Sequence, residues 1–167
     1  FSKLVQKGPS FAETSEIECE RRGRYRVRSK KASDAKEEQS NGTTEIPADV
    51  TNGMTSLLLK NLTRGTSAKT HLMAFTLKPR ALELALTPEG EDKFWIGNAE
   101  RIATRFLIEP RVTGVTGIVA SAIGKQPPSF HMWIAEGKAP TLMRFEGPLY
   151  IDGPVWRLEL SAPRWKP

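Results

Sequence analysis

"EIECERRGRYRVR", Glu16 to Arg28, alternates on both sides of a three-residue break. Glu16, Glu18 and Glu20 flank Ile17 and Cys19, and beyond Arg21-Arg22-Gly23 the residues Arg24, Arg26 and Arg28 flank Tyr25 and Val27. A period of two is the mark of a strand that buries one face. Gly23 supplies the left-handed position that a three-residue hairpin loop requires, and the loop length then fixes the register. Glu20 is expected opposite Arg24, Glu18 opposite Arg26 and Glu16 opposite Arg28, giving a hairpin with a fully charged outer face. The arginine row alone would suit a nucleic acid, but the opposing glutamates neutralise it, which argues against that partner.

The same alternation returns after His71. "THLMAFTLKP" places Met73, Phe75 and Leu77 on one face, and "RALELALTPEG" places Leu82, Leu84 and Leu86 opposite Glu83 and Ala85. "DKFWIGNAERIATRFLIEP" reads as two strands about Gly97-Asn98, with Ile102, Phe106 and Ile108 inward and Arg101, Arg105 and Glu109 outward. Three further strands follow in "SFHMWIAEG", "PTLMRFEGPLY" and "PVWRLELSAP", with Phe130, Met132 and Ile134, then Met143 and Phe145, then Trp156, Leu158 and Leu160 as their apolar faces. Consecutive strands joined by short turns predict a mainly β fold. The expected form is a curved antiparallel meander, a half-barrel or open barrel, with one or two short helices on its concave side.

Three stretches depart from the pattern. Residues 29–45 are almost devoid of apolar side chains and predict an exposed loop or hairpin turning at Asn41-Gly42. In "IPADVTNGMTSLLLKNL", Val50, Met54, Leu57 and Leu58 fall at helical spacing behind Pro47 and Asp49, which predicts a helix despite Gly53. "RVTGVTGIVASAIGKQPP", Arg111 to Pro128, carries no ionisable side chain between Arg111 and Lys125. It falls short of the ~20 apolar residues that span a bilayer, so no transmembrane segment is expected. Val115, Ile118, Val119, Ala122 and Ile123 instead predict a short helix that covers or fills the concave side of the sheet.

Length predicts a single domain over residues 1–167. Lys and Arg number 25 against 19 Asp and Glu, a net charge of +6, which favours acidic partners and equally serves solubility. Cys19 is the only cysteine, excluding an intrachain disulfide, a cysteine-based zinc cluster and a CxxC redox pair. His71 and His131 sit within strand patterns and at no metal-ligand spacing, and the strand carboxylates Glu83, Glu109, Glu146 and Glu159 alternate near arginines. With no nucleophile elbow, phosphate loop or HExxH, the sequence predicts no catalytic residue, no metal site and no cofactor. Phe94-Trp95, Phe130 to Trp133 and Trp165 lie among basic residues, but most occupy positions that a strand needs for its buried face.

Residues 46–62, 75–109 and 124–163, notably "FTLKPRALELALTPEGEDKFWIGNAERIATRFLIE" and "GKQPPSFHMWIAEGKAPTLMRFEGPLYIDGPVWRLELSAP", resemble a bacterial envelope family of unknown function. The similarity extends over roughly Glu16 to Pro163. That resemblance implies a half-barrel similar to the periplasmic and outer-membrane lipoprotein-localisation carriers, in which a sheet wraps around helices and holds acyl chains. It further implies a periplasmic or envelope-associated protein, and a chain that is the C-terminal part of a larger half-barrel with strands preceding Phe1. No catalytic residue is carried over from it.

The resulting expectation is a non-enzymatic protein that binds a lipid or another apolar or amphipathic ligand. Met73, Phe75, Phe106, Trp133 and Trp156 are the candidate wall, Met54 and Leu58 reach it from the helix, and Ile123 reaches it from the uncharged segment. The alternative is a structural or interaction module that docks an envelope protein or an anionic polymer through the charged hairpin or a sheet edge.

Overall fold

The computed structural model describes residues 2–8, 13–31, 33, 36–112, 127–149 and 153–161. The expected helix with Ile123 therefore lies outside the described residues. The fold is mainly β, in two antiparallel sheets. The first runs β1 (Ser2–Gln6), β2 (Glu13–Cys19), β3 (Arg24–Lys31), β4 (Glu38–Thr43), each strand beside the next. The helix α1 (Thr55–Asn61) follows. The second sheet contains β5 (Ala68–Ala74), β6 (Arg80–Ile96), β7 (Ala99–Arg111), β8 (Phe130–Ala135), β9 (Thr141–Pro148) and β10 (Val155–Glu159), again in sequence order. Neither sheet closes into a barrel among the described residues. The chain divides into two compact units, residues 1–50 with 71–82 and residues 51–70 with 83–167.

In the first unit the charged hairpin has the register that its alternation predicts: Glu16 pairs with Arg28, Glu18 with Arg26 and Ile17 with Val27. Glu20 accepts from Arg24 Nε and Nη2 at 3.0 and 2.7 Å. Gly23 turns the chain at φ +82°. Ile17, Cys19 and Val27 are buried on the inner face. Burial of the Cys19 thiol pushes its pKa up. On the outer face Glu16 and Glu18 take Lys3 of β1 as their close partner. That hydrogen bond holds the Glu16 carboxyl below its usual range and raises the Lys3 ammonium. Asn41-Gly42, expected as a turn, lies inside β4 opposite Arg26 and Tyr25. The absence of a side chain at Gly42 matters there, because a Cβ would stand 2.9 Å from the Tyr25 hydroxyl.

The helix begins later than its sequence pattern implies. Pro47 and Thr51 open successive turns, Gly53 sits at φ +69°, and helical structure starts only at Thr55. The left-handed residue resets the phase of the amphipathic stripe. Thr55 and Leu59 are buried, while Met54 and Leu57 are exposed. Val50 leaves the stripe altogether and forms a parallel bridge with His71.

In the second unit β6 and β7 form a long hairpin about the two-residue turn Gly97-Asn98, as expected, with Ile96 opposite Ala99. Two bulges interrupt the alternation. Pro88 pairs with Phe106 and Gly90 with Arg105, so Glu89 is an extra residue on β6, and the bulge excuses the missing N–H of Pro88. On β9, Arg144 pairs with Trp133 and Leu142 with Ile134, which makes Met143 extra. Met143 and Arg144 consequently share a face.

The sheet thus has two distinct faces. One carries Leu84, Leu86, Phe106, Ile108 and Ile134, all at most 5% exposed, with α1 packed against β8 and β9. Each such side chain contributes about 1.5–3 kcal/mol by leaving water. The other face buries Phe94, Ala103, Trp133, Ala135 and Met143 in one cluster. Met143 and Phe145, expected on a common face, are therefore separated by the bulge. Ile102, expected inward, is 49% exposed near the turn end of the hairpin.

Candidate functional site

A cleft of about 250 Å³ opens on the helix-bearing face of the second unit. Leu59 and Leu62 approach from the helix and its C-cap, Phe106 and Ile134 from β7 and β8, and Pro140 from the turn before β9. These five make an apolar floor. The remainder of the lining is polar, with Lys60 and Arg64 on one side and Thr104, Glu136 and Gly137 on the other. Arg64 pairs with Glu91 and stands with Nε 3.5 Å from Glu136 Oε1. Thr104 Oγ1 donates to the same Glu136 oxygen at 3.5 Å. Lys60, in the last turn of α1, has no ion-pair partner among the described residues. Its position suits the negative end of the helix and leaves its ammonium available at the mouth.

The eight residues expected to line a ligand do not gather there. Phe106 lines the cleft. Leu58 is half-buried on α1, and Met54 precedes the helix at 55% exposure. Trp133 lies on the opposite face of the sheet, paired across β7 with Arg105, whereas Phe106 pairs with Met132. Trp156 is 46% exposed on the edge strand β10. Met73 and Phe75 belong to the first unit, the former buried in β5 and the latter half-buried just beyond it. Ile123 lies outside the described residues. Sequence reasoning missed Leu59, Leu62, Lys60, Arg64 and Pro140. Lys60 in the last helical turn and Arg64 just beyond the helix end were the available signal.

Trp133 shows what the opposite face does instead. Its indole N–H donates to Asp92 Oδ2 at 2.5 Å. The Arg144 guanidinium lies over both the Phe94 and Trp133 rings, 4.7 and 5.0 Å from their centres, and donates through Nη2 to Glu159 at 3.1 Å. That hydrogen bond holds the Glu159 carboxyl below the usual range, partial desolvation opposes it, and Arg157 adds to the lowering. The surface is an ion-pair network over an aromatic core, in which the buried Arg144 Nε has no hydrogen-bond partner among the described residues.

Both imidazoles meet a carboxylate, His71 Nδ1 at 2.7 Å from Asp49 Oδ1 and His131 Nε2 at 3.2 Å from Glu89 Oε2. Neither lines the cleft. The charged hairpin borders a second, polar groove of about 400 Å³ between Glu18, Glu20, Arg24, Tyr25, Arg26, Asn41, Gly42 and Thr43. Among the described residues no group of three or more His, Cys, Asp or Glu could hold a metal ion, and no helix is long and apolar enough to cross a membrane. No family model, curated protein or solved structure matches the chain.

Proposed function

We propose that the protein is a non-enzymatic binding module for an amphipathic anion, and that the cleft beside α1 receives the apolar end of a fatty-acyl ligand. One observation carries the reading: an apolar floor of Leu59, Leu62, Phe106, Ile134 and Pro140 is bordered by Lys60, a cation with no ion-pair partner among the described residues. The floor supplies the transfer energy and the ammonium fixes which end of the ligand faces water. A volume of about 250 Å³ suits a short acyl segment and is too small for a complete phospholipid. The bacterial envelope, where such ligands are abundant, is the setting we propose.

Calorimetric titration with octanoate tests the reading. Saturable binding is expected, with Lys60→Glu weakening it at least tenfold while thermal unfolding stays unchanged. The matching alcohol, octanol, is expected to lose the dependence on Lys60. Absence of saturable octanoate binding would refute the proposal.

A second reading has its own support. Arg26 and Arg28 face Glu18 and Glu16 in register, but those carboxylates lie closest to Lys3, so the arginines retain capacity for an outside anion. Binding of a sulfated polysaccharide that weakens steeply with salt and with Arg26→Ala would favour docking through the hairpin.

A further inference from the structure

We infer that β10 is a self-pairing edge, through which two copies of this chain join antiparallel into one continuous sheet. β10 ends the six-strand order, with β9 as its one strand neighbour among the described residues. Edge strands that must remain alone are blunted by lysine, proline, a bulge or uncompensated charge. β10, with sequence VWRLE, contains no lysine or proline, and its register with β9 runs without a shift. Its two charges cancel. All five residues are exposed, Val155 at 75%, Trp156 at 46% and Leu158 at 49%, with Leu160 beyond them at 43%.

The backbone fixes which groups face outward. Leu160 N–H donates to Met143 O at 2.8 Å, so that position turns toward β9. Alternation then directs the N–H and C=O groups of Trp156 and Leu158 toward β9 and those of Val155, Arg157 and Glu159 toward the opposite edge, which no described strand pairs. In a continuous antiparallel sheet, directly opposed residues share a face, so a twofold axis must pass through a residue position. An axis at Arg157 or Glu159 would oppose identical charges. An axis at Trp156 would set Leu158 against Pro154.

Only the axis at Leu158 is complementary throughout. It places Arg157 opposite the partner's Glu159 and Glu159 opposite the partner's Arg157, with Trp156 against Leu160 of the partner subunit. The outward-facing backbone groups of Arg157 and Glu159 are then the ones that exchange hydrogen bonds. The existing ladder of Glu146, Arg157, Arg144 and Glu159 continues into the second copy with its signs alternating. On the other face Trp156, Leu158 and Leu160 lose their exposure against their counterparts.

Sedimentation equilibrium of the full chain over a concentration series, combined with cysteine cross-linking, tests this. Leu158→Cys places two thiols directly opposite in a non-hydrogen-bonded pair, the geometry that admits a disulfide. Buried Cys19 leaves the introduced thiol as the reactive one. A reversible dimer is expected for the unmodified chain, and rapid disulfide formation under mild oxidation for Leu158→Cys but not for Arg157→Cys. The single variants Arg157→Glu and Glu159→Arg are each expected to be monomeric and, when mixed, to form a heterodimer. A monomer at every concentration would overturn the proposal, as would equal cross-linking at positions 157 and 158. Vesicle or protein binding without self-association would assign the edge to a different occupant and overturn it equally.

Discussion

Trp133 and Asp92, on strands separated by β7 and two residues out of register, are joined by an indole N–H to carboxylate bond of 2.5 Å. The donor ring is 4% exposed and the acceptor belongs to β6, so the bond ties β8 to β6 over the top of β7. Trp133→Phe retains most of the aromatic packing and removes this donor to an ionised acceptor. A loss of about 1.5–3 kcal/mol is expected in urea unfolding. Asp92→Asn, which keeps an acceptor, should cost less.

Gly23 and Gly97 have similar left-handed backbones, φ +82° and +60°, but different surroundings. A Cβ at Gly23 would lie 1.9 Å from the Thr44 carbonyl oxygen, whereas nothing stands within 4 Å at Gly97. Gly97→Ala should therefore cost only the conformational strain, about 1 kcal/mol. Gly23→Ala should cost distinctly more, because backbone of β3 and its neighbour must separate. Parallel thermal melts of the two variants measure the difference.

Met143 is 1% exposed among Phe94, Ala103, Trp133 and Ala135. Met143→Ala leaves a cavity in this cluster and should destabilise by about 2–5 kcal/mol. Met143→Leu, with nearly the same volume, should remain within about 1.5 kcal/mol of the parent. Chemical denaturation with an unchanged m-value would confirm that the effect is on the native packing.

Two titrations have opposite signs. Glu159 is held below its unfolded value by Arg144, so its stabilisation is complete above the unfolded carboxylate pKa of about 4.3 and disappears as pH falls through the folded value. Glu159→Gln should flatten the acid side of the stability profile, more visibly at low salt because the carboxylate is partly exposed. Cys19 is raised by burial, so its contribution is complete below the unfolded thiol pKa of about 8.5 and declines as pH rises above it. Cys19→Ser should reduce that alkaline decline, and maleimide should label native Cys19 far more slowly than the unfolded chain.

The hairpins were legible because alternation and a glycine turn act locally. Glu16 to Arg28 carries its register in its own residues and pairs as read, and Gly97-Asn98 turns the second hairpin where it was expected. The division into two sheets has no comparable local sign. The bulges at Glu89 and Met143 each break a period of two by one residue, which in sequence looks the same as an unbroken strand. The cleft escaped detection for a related reason. Gly53 detaches Val50 from the helix, and α1 buries Thr55 and Leu59 in place of Met54 and Leu57, so Leu59 of the apolar floor stands off the stripe read from the sequence.

The extra residue at Met143 acts as a phase step in β9. Delete it, and every side chain upstream in the strand must trade sides with its neighbour or every pair downstream must slide. Thr141 and Leu142 would exchange places between an aromatic core and the face bearing α1. A one-residue deletion at 143 is for this reason a topological lesion, whereas the same deletion in the 137–139 turn leaves the alternation within β9 unchanged. Length in β9 is constrained as tightly as composition.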